Sequence, residues 1–276
     1  MNTSGAAFDS FNVVAERQIG RYGDKPFCTW YDDRRDERVE LSYRTFGNWV
    51  AKTANFLVDE LGVGPGDRVG VLADHWQAPA VVAACWRAGA CVAALDPGRP
   101  EPAGLAAAFV HEDHLAGAAG ALEGVPLVAL GAGPLGRPAG DLGRALAFSR
   151  LVPAMGDGFD GGPDPGDALA TGAGTATMAR LLAETTALAV RTGLGEADRL
   201  LSGRRLLTAD GVVAGLLAPF LCGAGVVLVH DLDPARFWKR VADERVAVAV
   251  VDHGQAAAVL AAAPDGPSEL RVLVDD

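Results

Sequence analysis

The sequence is poor in the residues that usually announce a chemistry. Its four cysteines, Cys28, Cys85, Cys91 and Cys222, are spread over 276 residues without a Cys-x-x-Cys pair. Scattered cysteines among apolar neighbours behave as small buried hydrophobes in a reducing compartment, and they offer no disulfide framework. Basic charge is also scarce, with 24 Lys and Arg against 35 Asp and Glu, a net charge of −11. That balance excludes nucleic acid as an expected partner, because a phosphate backbone requires a basic face. The opening residues Met1-Asn2-Thr3-Ser4-Gly5 lack a basic region and an apolar run, so no secretory signal is expected and the expected location is cytoplasmic. No internal repeat and no heptad pattern is present.

One stretch lacks charge altogether. Gly211–Val229 is nineteen residues long, which approaches the length of a membrane span. Pro219 interrupts it, and Cys222-Gly223-Ala224-Gly225 reads as a turn before the β-branched run Val226–Val229. The expectation is a helix, a turn and a buried strand, with no membrane span.

Half of the residues are hydrophobic, enough for a sizeable core. Phe27–Tyr31 and Arg38–Leu41 flank a charged run and predict a hairpin. Phe46, Trp49, Val50, Thr53, Leu57 and Leu61 recur at helical spacing after a Ser42 cap, and Gly62 ends the helix. Short apolar strands follow at Arg68–Ala73, Ala90–Leu95, Ala106–Val110 and Pro126–Leu130. Helices are predicted over Gln77–Arg87 and Leu115–Glu123. Strands alternating with helices predict an α/β fold with mostly parallel, doubly wound sheets. Residues 131–167 form a Gly-, Pro- and Asp-rich connector, with one short helix expected near Leu142–Arg150. A second α/β unit is expected from Asp167. It holds helices near Met178–Arg191, Pro234–Glu244 and Gln255–Ala262 and strands at Val226–Val229, Val246–Val251 and Arg271–Val274.

The most informative stretch is Ala170-Thr171-Gly172-Ala173-Gly174-Thr175-Ala176-Thr177-Met178-Ala179. Small residues, glycines and hydroxyls of this kind can bring backbone N–H groups to a phosphate. No lysine is present to balance the phosphate charge. Thr171, Gly172, Gly174 and Thr175 are therefore the candidate binding residues. The alternative is a strand-to-helix turn with Thr175 or Thr177 as the helix N-cap.

Other polar groups stand at strand ends, where open α/β sheets place their sites. Asp252-His253 is the candidate catalytic pair, a carboxylate beside a potential general base. His230-Asp231 is similarly placed. His111-Glu112-Asp113-His114 reads as a solvated loop, and no metal is expected. The five tryptophans, Trp30, Trp49, Trp76, Trp86 and Trp238, read as core or interface residues.

An ordered series of motifs resembles the adenylate-forming superfamily, which includes acyl-CoA synthetases, luciferases and peptide-synthetase adenylation domains. It comprises Leu41-Ser42-Tyr43-Arg44-Thr45-Phe46, Leu61-Gly62-Val63-Gly64-Pro65-Gly66-Asp67-Arg68-Val69, Trp86-Arg87-Ala88-Gly89-Ala90 and Leu95-Asp96-Pro97. It continues with Leu217–Leu228, Pro234-Ala235-Arg236-Phe237-Trp238 and Ser268-Glu269-Leu270-Arg271-Val272-Leu273. The resemblance covers most of residues 8–276 and is nearest to a short actinobacterial branch. It implies the N-terminal domain of that fold, two packed doubly wound sheets, as a single truncated domain over 1–276. Its expected subdomains are 42–165 and 1–41 plus 166–276.

The resemblance also shows departures. The superfamily's phosphate loop reads Thr-Ser-Gly-Thr-Thr-Gly-x-Pro-Lys-Gly. Here Thr171-Gly172 takes the Ser-Gly positions, Ala173 and Gly174 replace two threonines, Thr175 replaces a glycine, and Thr177-Met178-Ala179 replaces Pro-Lys-Gly. Arg205-Leu206-Leu207-Thr208 stands where the superfamily has Pro-Leu-x-His. By resemblance the Tyr-Gly-x-Thr-Glu motif, the ribose-binding Asp, the β-barrel and the C-terminal domain with its lysine lie beyond Asp276. Adenylation brings two anions together and rests on such cations. The expectation is a degenerate homologue without ATP-dependent ligase activity on its own, acting in binding or assembly. Residual ATP, AMP or acyl-CoA binding stays open. So do a ligase half-site completed in trans and a cleft turned to other chemistry. A homodimer or a protein partner is expected to cover apolar surface.

Overall fold

The computed structural model describes residues 8–101, 104–263 and 270–274. Met1–Gly5, Ser268, Glu269 and Asp276, which carry parts of the sequence argument, lie outside the described residues.

In chain order the elements begin with α1 (Phe11–Tyr22), β1 (Pro26–Asp32), β2 (Glu37–Ser42) and α2 (Tyr43–Asn55). Next come β3 (Arg68–Leu72), α3 (Ala78–Arg87), β4 (Cys91–Ala94), β5 (Leu105–His111), α4 (Leu115–Ala121) and β6 (Leu127–Leu130). Then follow β7 (Leu146–Ala147), α5 (Phe148–Leu151), β8 (Asp167–Thr171), β9 (Gly174–Thr177), α6 (Met178–Thr192) and β10 (Arg199–Ser202). The chain continues through α7 (Ala209–Val212), α8 (Ala218–Cys222), β11 (Gly225–His230), α9 (Pro234–Asp243), β12 (Val248–Val251), α10 (His253–Ala261) and β13 (Arg271–Val274).

These strands form two sheets. One is ordered β13-β12-β10-β11-β1-β2, the other β7-β6-β5-β3-β4-β8-β9. Pairing is parallel except for the two hairpins, β1–β2 and β8–β9. This is the α/β fold of mostly parallel sheets with flanking helices that the alternation of elements predicts. The chain divides into two compact units, Thr45–Leu181 and Met1–Arg44 with Leu182–Asp276.

In the Thr45–Leu181 unit, Leu72, Ala108, Val110, Leu115, Leu122 and Leu127 form one buried cluster. Every residue of α3 is buried, including Ala78, Ala80, Ala83 and Ala84. Apart from its last residue, Arg87, the helix is apolar on all sides and has no solvent face to keep, and its small residues let the backbone approach the sheet. Trp86 is fully buried, and its indole N–H donates to the Ala168 carbonyl at 2.8 Å. That bond ties α3 to β8. In the other unit Leu201, Val227, Phe237, Ala249, Val251 and Val259 form the core.

Three expectations change. A helix near Leu142–Arg150 is replaced by the two-residue strand β7 and the single-turn α5. Gly143 has φ +55° there, a conformation that breaks a helix before it starts. The second α/β unit does not begin at Asp167, because β8 pairs with β4 in the seven-stranded sheet. The uncharged segment is helix, turn and buried strand as expected, but Pro219 does not break it. A π-helical turn at Val213–Leu217 leads into α8, with Pro219 in its first turn. The helical run is unbroken from Ala209 to Cys222, and Pro219 sits just past the π-turn, where the regular backbone ladder is already interrupted. Among the described residues no helix is long and apolar enough to cross a membrane.

Candidate functional site

The Gly/Thr stretch folds as a hairpin rather than a strand-to-helix loop. Thr171 pairs with Gly174 across a two-residue turn, Gly172-Ala173. The Thr171 hydroxyl accepts the Ala173 N–H at 3.2 Å and donates to the Gly174 carbonyl at 3.2 Å. Its one donor is spent inside the turn. Gly174 has φ +129°, a conformation that favours glycine. Gly172, Ala173, Gly174 and Thr175 are exposed. Thr177, one of the two proposed caps, accepts the Arg180 N–H at 3.2 Å and so caps the start of α6.

The position aligned with the superfamily's lysine is Met178. It opens α6, is 3% exposed, and its N–H donates to the Gly166 carbonyl at 3.0 Å. The side chain at that position points into the protein, so a cation there would be desolvated.

A second arrangement lies in the unit made of residues 1–44 and 182–276. A cavity of about 250 Å³ is lined by Glu184, Arg191, Arg204 and Asp210, with Val213 and Val250 among its apolar walls. Arg204 follows β10, and its side chain is 7% exposed. Its guanidinium lies 3.8 Å from the Asp210 carboxylate and 3.7 Å from that of Asp252, both longer than a hydrogen bond. Two cations and two carboxylates thus share one small space.

Sequence reasoning missed this cavity. Arg204 and Arg205 are adjacent in an otherwise ordinary turn, and only the fold buries the first. Thr208, which stands in the superfamily's substrate-side histidine region, accepts the Gly211 N–H at 3.0 Å and donates to the Arg205 carbonyl at 3.0 Å. It caps α7. A Cβ at Gly211 would meet the Arg205 carbonyl oxygen at 1.8 Å, so only glycine fits there.

The other candidates separate. Asp252 turns toward Arg204, while the exposed His253 opens α10 and takes no ion pair among the described residues. The two are therefore not joined as an acid–base pair. His230 lies 3.5 Å from Asp231, whose carboxylate also meets Arg34 at 3.1 Å.

Glu112 is a structural anion. It accepts N–H groups from Ala132 at 2.8 Å, Ala139 at 2.9 Å and Gly140 at 2.5 Å. Burial opposes its charge, but these donors and the nearby His111 outweigh it and hold the carboxyl below its usual range. Among the described residues no group of three His, Cys, Asp or Glu could hold a metal ion. Trp30, Trp76 and Trp86 are core residues, and Trp238 donates to the Val259 carbonyl at 2.8 Å. Cys28, Cys85 and Cys91 are buried, and burial pushes the Cys28 thiol up to about 12.

Known proteins match this chain in sequence and in fold. A family model for AMP-binding enzymes matches residues 15–111. A Mycobacterium tuberculosis protein, "TIGR03089 family protein", is 38% identical over 223 residues, covering 80% of this chain and 89% of that one. An acyl-CoA synthetase from Brucella canis superposes with a TM-score of 0.76 at 17% identity, covering 95% of this chain and 51% of that one. A putative long-chain-fatty-acid CoA ligase from Rhodopseudomonas palustris gives 0.73 at 22% identity, covering 99% and 71%. A benzoate CoA ligase from Burkholderia xenovorans gives 0.73 at 20% identity, covering 95% and 53%. At these identities the structural matches establish the fold. The chain spans about half the length of two of those enzymes and most of the mycobacterial protein. It belongs to the family of that mycobacterial protein, within the AMP-binding, adenylate-forming superfamily, and corresponds to the superfamily's N-terminal domain.

Proposed function

We propose that this chain is a binding member of the adenylate-forming superfamily, holding a small polar carboxylic acid without activating it with ATP. The observation that carries the reading is Met178. The lysine position of the phosphate loop is occupied by a 3% exposed methionine at the start of a helix. With the Thr171 hydroxyl closed on its own turn, the hairpin presents no cation to a triphosphate. Losing one such electrostatic contact costs on the order of 10²–10³ in rate in enzymes that depend on it.

The acid would enter the cavity beside Arg204. At about 250 Å³ the cavity is smaller than the roughly 300–1,000 Å³ of ordinary ligand pockets, which favours a short acid over a fatty one. Arg204 and Arg191 supply the guanidinium partners that a carboxylate takes bidentately. Glu184 and Asp210 favour a substrate that carries a donor of its own.

Calorimetric titration tests the reading. Short polar acids are expected to give saturable heats that Arg204→Gln removes, and Mg-ATP none. Saturable binding of Mg-ATP, or preference for a long-chain acid, would overturn it. An assembly role, as a homodimer or with a protein partner, belongs to the same proposal, and sedimentation velocity reads it directly.

A further inference from the structure

In the Thr45–Leu181 unit a depression of about 570 Å³ opens at the starting ends of β3, β4 and β8. Its lining includes Arg68, Cys91, Asp167 and Thr175, with Gly66 and Gly89 as walls that carry no side chain. This is the edge of the sheet opposite to the strand ends discussed above.

We propose that this depression is a second binding site, for a zwitterion of amino-acid size, with the ligand's carboxylate on Arg68 and its ammonium on Asp167. The register supports the spacing. Arg68 aligns with Cys91, and Val92 aligns with Leu169, so the three strands start side by side. Neighbouring strands lie about 4.8 Å apart, which puts the backbones of Arg68 and Asp167 roughly 10 Å from each other. That spacing sets the two charges on the rim of one depression, two strands apart.

The charges are available. Arg68 and Asp167 are exposed, and among the described residues neither takes an ion pair. Other arginines of this chain do find carboxylates, as Arg21 does with Glu196 at 2.8 Å and Arg44 with Asp24 at 3.0 Å. Both charges act on the same point between them. Burial raises the Cys91 thiol, Arg68 lowers it and Asp167 raises it. The exposed Thr175 hydroxyl adds a donor and acceptor at the rim. Opposite charges in one depression also select by repulsion: Asp167 disfavours a plain anion and Arg68 a plain cation.

The site is independent of the Arg204 cavity, and the test keeps them apart. The chain is titrated with a panel of L-α-amino acids, with acetate and with methylammonium. At least one amino acid is expected to saturate while acetate and methylammonium do not. Arg68→Gln and Asp167→Asn should each weaken it at least about tenfold with an unchanged melting temperature. Amide resonances of Gly66, Gly89 and Gly166 should shift with the same dissociation constant. The proposal is overturned if no amino acid binds, if acetate binds as tightly, or if Arg204→Gln removes the binding while Arg68→Gln does not.

Discussion

The β8–β9 turn and the cavity beside Arg204 use their polar groups in opposite ways. In the turn, one hydroxyl accepts from Ala173 and donates to Gly174, and the backbone closes on itself. In the cavity, a largely buried guanidinium stands 3.7–3.8 Å from two carboxylates, in ion-pair reach of both. A hydrogen-bonded turn has little left to give a ligand, whereas charges held near each other in a small space have much to gain from one. A third place sharpens the contrast. Backbone N–H groups do gather round an anion in this chain, but that anion is its own Glu112.

The largest expected effect concerns the lysine position. Met178→Lys should destabilise by about 3 kcal/mol, because it buries an unpaired charge, and should lower the melting temperature by roughly 10 °C. It should not create nucleotide binding. An unchanged melting curve with new Mg-ATP affinity would break the comparison at its strongest point.

Next comes Glu112→Gln, expected to cost roughly 1.5 kcal/mol at neutral pH after allowance for partial solvent screening. The carboxyl is held below its ordinary value in the fold. Its stabilisation is therefore complete above that value and is lost as pH falls through the lower folded-state value. Urea melts at neutral and acid pH should show the gap between wild type and variant closing on the acid side. A gap that persists would mean that the anion is not what the backbone donors hold.

Arg204→Gln should weaken a bound short acid at least tenfold, about 1.4 kcal/mol, by calorimetry. An unaltered affinity would move the acid elsewhere. The smallest effect is local. Thr171→Ala should cost about 0.5–1 kcal/mol and speed amide exchange at Ala173, with other protected amides unchanged. No change at Ala173 would show that the hydroxyl does not close the turn.

Much of this was legible in the chain. The runs at Arg68–Leu72, Leu105–His111 and Leu127–Leu130 are buried strands flanked by turn residues, and they appear where the apolar pattern puts them. The ordered motif series gave the family. The four-residue strand β10 and the helix α1 carried no pattern strong enough to see. The hairpin was hidden because Thr171–Thr177 is too short and too small to show an alternation, and its closing bonds involve a side chain folded onto its own turn. The burial of Met178 was invisible for a different reason. A loop aligned with a phosphate cradle suggests exposure, and only the pairing of β8 with β4 makes α6 start one residue after the hairpin. Arg204 likewise becomes a buried cation only when α6, α7 and β12 close round it.

The central claim is that the hairpin no longer serves a nucleotide, and the most direct measurement is a calorimetric titration of the chain with Mg-ATP, alone and with a short acid bound. The account predicts no saturable heat from the nucleotide at millimolar concentration in either case. Saturable binding in the micromolar range, lost on substitution of Thr171 or Thr175, would contradict it.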